Sequence, residues 1–152
     1  MSSSMPDRPI ALVLDTNVVL DWLLFRDASC AGLPGPLQAG QWLWHATLSM
    51  RGELASVVQR PELQRWSPDC EHILSTFDKL AKLCPEAPSA IGAAGRLRSR
   101  DPDDQKFIDL AVSVKATWLL SRDRALLRLA RPARDLGLQI LPPARWQQLL
   151  GG

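Results

Sequence analysis

The sequence predicts an α/β domain with a mostly parallel central sheet. Short runs of branched apolar residues alternate with longer stretches of helical periodicity, the pattern of strands joined through crossover helices. The length of 152 residues suits one domain and can bury a sizeable core. No internal repeat or second domain is visible, so residues 1–8 read as a flexible polar tail and 9–150 as a single domain.

The first strand is IALVL, short and rich in branched residues, which stops at Asp15-Thr16-Asn17. Helical periodicity resumes over 18–25, and the Gly/Pro content of 27–36 marks a loop. After a short segment at 37–40, QWLWHA reads as a second strand. Met50, Leu54, Val57 and Val58 then fall at i, i+4, i+7 and i+8, one face of a helix that Pro61 should end. Ile73, Leu74, Phe77, Leu80 and Ala81 predict a further helix over 68–83. Residues 85–100 read mostly as loop, with room for a short strand that the pattern does not place. Asp101 can cap and Pro102 can open a helix whose buried stripe is Phe107, Ile108, Ala111 and Val112. TWLLS, RDRALLRLA, LQIL and PPARWQQLL then read as strand, helix, strand and closing helix.

Composition narrows the class. With 46% apolar and 22% charged residues and a mean hydropathy of -0.07, the chain matches ordinary globular proteins rather than disordered ones. Cys30, Cys70 and Cys84 are odd in number and form no CxxC pattern, which suits a reducing cytoplasm. The N-terminal MSSSMPDRP is polar, and IALVL is too short to target the chain or span a membrane, so no membrane partner is expected. The net charge of +2 does not announce nucleic acid, but the arginines crowd as RLRSR and RDRALLRLARPAR. Solvated helix faces would explain them as well as a polyanion would.

Several chemistries are disfavoured. GxxxxGK[ST] is absent, and the glycines follow no strand in the dinucleotide-binding pattern. An aspartyl-phosphate phosphatase would want an acid two residues after Asp15, where Asn17 stands. His45 and His72 have no motif partner, and the six tryptophans are scattered, as packing residues are.

Four carboxylates point elsewhere. In a parallel α/β sheet, ligands sit beyond the C-terminal strand ends. Asp15 directly follows the first strand and Asp123 follows TWLLS by two residues. Glu53 and Asp104 stand early in helices that start at the same edge. Asp104 precedes Phe107 and Ile108 by three and four residues, so it shares the face about to be buried. Capping by Asp101, Asp103 or Asp123, and a surface role for Glu53, would account for each singly. Their convergence asks for a counter-charge, which a hard divalent cation with oxygen ligands supplies.

LVLDTNVVLDWLL, SMRGELASVVQRPEL, RDPDDQKFIDLAVSVKATWLLSRDRALL and LQILPPARW resemble, in that order, the PIN domain family over about residues 10–149. The resemblance is nearest to its bacterial VapC-type branch, ribonuclease toxins of toxin–antitoxin systems. It implies a three-layer α/β/α sandwich and an endoribonuclease that hydrolyses RNA phosphodiesters with Mg²⁺ or Mn²⁺, as one or two ions. It also implies an antitoxin partner and a homodimer. Carried over position by position, the catalytic and metal-binding acids are Asp15, Glu53, Asp104 and Asp123. Asp104 is preferred to Asp103 because Ala111 matches the family's small residue seven positions on, and Asp103 remains the alternative. Asn17 and Ser121 match polar positions that hold a carboxylate or a phosphate oxygen, although turn and cap roles would also suit them. Arg96, Arg98, Arg100 and Arg122 are candidates for phosphate contacts. Arg122 stands where the family often has a smaller residue, so it could also tune or block the site. A PIN-fold module that grips RNA or protein without cutting is the alternative function.

Overall fold

The computed structural model describes residues 9–87 and 97–151. The tail 1–8, Arg96 and most of the stretch with the unplaced strand lie outside the described residues. Strand β1 (Ile10–Leu14) passes directly into helix α1 (Thr16–Leu23), with Asp15 between them in extended conformation. Its carboxylate accepts from Val18 N at 2.8 Å, so the helix starts two residues before its apolar periodicity does. Helix α2 (Pro34–Gln38) lies partly within the expected loop; Pro34 suits a first helical position. Next come β2 (Trp42–Ala46) and α3 (Leu48–Val57), which Thr47 caps through Met50 N. Pro61 does more than end the helical run: it opens a 3₁₀ segment, Pro61–Trp66.

Helix α4 (Cys70–Leu80) is shorter than its periodicity suggested. Ala81–Leu83 instead forms strand β3, paired in parallel with β2. The ladder overrides the local helical spacing because the exposed side of β2 offers unpaired backbone groups, and Cys84 N extends the pairing to Ala46 O at 2.8 Å. A 3₁₀ turn, Pro102–Asp104, capped by Asp101, leads into α5 (Gln105–Ser113). Strand β4 (Trp118–Leu120) follows. The single helix expected over 122–130 is two short ones, α6 (Arg124–Leu127) and α7 (Ala130–Arg134). Pro132 has no N–H to offer the Arg128 carbonyl, so α6 cannot run on through it. Strand β5 (Gln139–Leu141) and α8 (Pro143–Gly151) close the chain.

All five strands are parallel, in the order β3-β2-β1-β4-β5. The chain steps outward from β1 to β3, then returns to the other side of β1 for β4 and β5. With right-handed crossovers this reversal puts the connecting helices on both faces of the sheet, giving the α/β/α sandwich. It also leaves a crevice beyond the ends of β1 and β4, the place where such sheets bind ligands. The strands supply a continuous core of Leu12, Val13, Leu119, Leu120 and Ile140. Near the opposite strand ends, Trp42, Trp118 and Trp146 pack edge to face with centroids 5.2–5.7 Å apart and fix α8 to the sheet. Among the described residues, no helix is long and apolar enough to cross a membrane.

Candidate metal-binding site

Asp15, Glu53, Asp104 and Asp123 line one cleft of about 240 Å³ at the reversal point, together with Thr16, Asn17, Arg60, Asp101 and Asp103. The four predicted acids therefore meet, although they come from four separate parts of the chain, and Glu53 stands in the second turn of α3 rather than at its start because Thr47 caps the helix well before it.

One wall is made by strand ends. Asp15 is 3% exposed, and the register of β1 with β4 sets its backbone N 3.2 Å from Leu120 O. Ser121, fully buried at the end of β4, donates its hydroxyl to Asp15 Oδ2 and accepts from Asp123 N at 2.9 Å. Asp123 in turn caps α6 by accepting from Ala125 N at 2.7 Å. Ser121 thus joins two of the acids and fixes their spacing. Burial pushes the Asp15 carboxyl up to about 6, even though Ser121 and Val18 N favour its ionised form.

The other wall is made by helices. Glu53, on α3, is half-buried; Thr16 donates to its Oε2, and Lys106 Nζ lies 2.6 Å from its Oε1. Lys106 also donates to the Asp103 carbonyl at 2.8 Å, which ties α3 to the start of α5. Asp104 ends the 3₁₀ turn, and its Oδ2 is buried without a partner. Burial, followed by the adjacent Asp123 carboxylate and then the charges of Asp101 and Asp15, pushes its carboxyl up to about 7. One oxygen each from Asp101, Asp104 and Asp123 lie within 4.8 Å of one another. These are hard oxygen donors around an uncompensated charge, a set that fits Mg²⁺ or Mn²⁺.

The remaining candidates divide. Asn17 is exposed at the cleft. Asp103, exposed, contributes its carbonyl to Lys106 and also lines the cleft. Arg98 and Arg100 are exposed on the segment leading to Asp101. Arg122 is not among the cleft-lining residues: its Nη2 donates to Asp21 Oδ1 at 2.8 Å and its Nε is 2.7 Å from Oδ2. Asp21 is buried on α1, so Arg122 is engaged as its counter-ion.

Sequence reasoning missed Lys106, Thr16 and Arg60, and saw Asp101 only as a cap. Lys106 did leave a signal: a cation in the first turn of a helix opposes the helix dipole and implies an anion facing it.

This chain belongs to the PIN domain family, whose model matches residues 11–125. Among solved structures it is similar to VapBC2 from Rickettsia felis bound to a DNA fragment from their promoter. The identity is 13% and the TM-score 0.60, over 86% of this chain and 97% of that one, a likeness of fold. No curated protein matches the sequence.

Proposed function

We propose that the protein is a metal-dependent endoribonuclease and the toxin of a type II toxin–antitoxin pair. The observation that carries the reading is the unpartnered, buried Asp104 Oδ2 facing Asp123 within a four-acid cleft at the sheet's reversal point. Asp104, Asp123 and Asp101 would hold Mg²⁺ or Mn²⁺, with Asp15 and Glu53 completing the acidic lining. When bound, such an ion polarises a phosphodiester and lowers the pKa of a coordinated water.

The chain's own residues do the rest. Ser121 orients Asp15, Thr16 and Lys106 orient Glu53, and Asn17 lines the cleft from an exposed position. Arg98 and Arg100 would hold flanking phosphates, which positions RNA without reading its sequence. The likeness to a toxin–antitoxin complex supports an antitoxin as partner. The homodimer and the cytoplasmic location belong to the same reading.

The test is cleavage of total cellular RNA by purified, antitoxin-free protein with Mg²⁺ or Mn²⁺, beside EDTA and Asp15→Asn controls. Metal-dependent fragments that vanish in the mutant support the nuclease. Intact RNA with folded protein sinks it. The second reading, a PIN-fold module that binds without cutting, is favoured by one feature: Lys106 already neutralises Glu53. Metal-independent retention of RNA, without fragments, would select it.

A further inference from the structure

We infer that the Lys106 ammonium takes the place of a second cation in this cleft, so that the site binds one divalent ion, at Asp101, Asp104 and Asp123. The inference rests on the metal-binding reading above and specifies its stoichiometry.

Both carboxylate oxygens of Glu53 are already engaged by the protein, Oε2 by Thr16 and Oε1 by Lys106 Nζ at 2.6 Å. Asp104 is the opposite case, with one buried oxygen that meets no donor. The same cleft therefore holds one acid supplied with a cation and one left without.

The ammonium is also held in place. It donates to the Asp103 carbonyl at 2.8 Å and lies 5.0 Å from the Phe107 ring centroid. The side chains of Lys106 and Glu53 are 27% and 30% exposed, so solvent screens the pair less than an open surface pair. An ion seated at Glu53 would have to displace a compact positive charge and break its contact with Asp103. Lys106 enters the first turn of α5, where the helix dipole disfavours a cation, so the facing carboxylate is what its position serves.

The experiment is calorimetric titration of metal-stripped full-length protein with Mn²⁺, repeated by counting bound Mn²⁺ in its paramagnetic resonance spectrum. Wild type should bind one ion, and Lys106→Met, with Glu53 released, should bind two. Lys106→Arg, which keeps the charge, and Glu53→Gln, which removes the acid, should each bind one. Two ions on wild type would overturn this inference and leave the nuclease reading intact. One ion on Lys106→Met, or loss of the ion from Glu53→Gln, would overturn it as well. No ion on wild type would remove the metal reading beneath it too. Should Lys106→Met fail to fold by circular dichroism, Lys106→Gln takes its place, with two ions expected and one ion overturning the inference.

Discussion

The two walls of the cleft hold their acids by different means. On the strand wall, Asp15 and Asp123 are placed by backbone: the β1–β4 register, two helix caps and one shared serine hydroxyl leave little freedom. On the helix wall, Glu53 is held by side chains reaching across from Thr16 and Lys106. Asp104 takes its position from a short 3₁₀ turn. The strand wall is a fixed frame, whereas the helix wall is an arrangement of charges that one substitution can redistribute.

That contrast can be broken by mutation. Asp15→Asn should lower RNA cleavage by about 10²- to 10³-fold, the scale of a lost electrostatic catalytic group, in protein whose circular dichroism is unchanged. Glu53→Gln should cost less, about 10- to 100-fold. Equal losses would show that the walls are not functionally distinct.

Ser121→Ala tests the frame itself. It leaves Asp15 buried without its hydroxyl donor and should cost about 1–3 kcal/mol in urea unfolding. Cleavage should fall alongside by about tenfold or more. Arg122→Ala should cost a similar 1–3 kcal/mol (about the penalty of leaving buried Asp21 without its partner), yet change cleavage by less than about threefold. A large loss of cleavage there would return Arg122 to the list of phosphate contacts.

The last test is of pH dependence, where cleavage itself is not read. Asp15 and Asp104 have folded values raised from the ordinary 3.8 to about 6 and about 7. Raised carboxyls stabilise the fold fully below the unfolded value, and that contribution is lost as pH rises through the folded ones. Metal-free protein should therefore melt at a lower temperature at pH 7.5 than at pH 5 as far as these groups decide. Asp104→Asn should flatten the slope, and saturating Mn²⁺ should offset the loss at pH 7.5. A metal-free Tm that rises over this range and is unaltered by Asp104→Asn would contradict the assignment.

The strand wall was the legible half of the site. An acid directly after IALVL, and another two residues after TWLLS, are fixed to the strand ends by chain connectivity alone. The pairs that the sequence hid are long-range. Lys106 meets Glu53 across 53 residues and Arg122 meets Asp21 across 101, and local pattern carries no trace of which cation chooses which anion. Asp101 was half seen, because capping uses one carboxylate oxygen and leaves the other for a ligand. Strand β3 was misread for a related reason: three residues on a sheet edge have too little alternation to outweigh the helical spacing of Leu80 and Ala81.

The serine that joins the strand wall also sets a clock. Asp15 and Ser121 stand 106 residues apart, and β1 cannot meet β4 until the ribosome has made both. At about 5–20 residues per second, synthesis of the intervening chain takes roughly 5–20 s. Through that interval the nascent protein carries Asp15 but no completed cleft, so whatever chemistry the assembled acids perform is withheld until synthesis is nearly over.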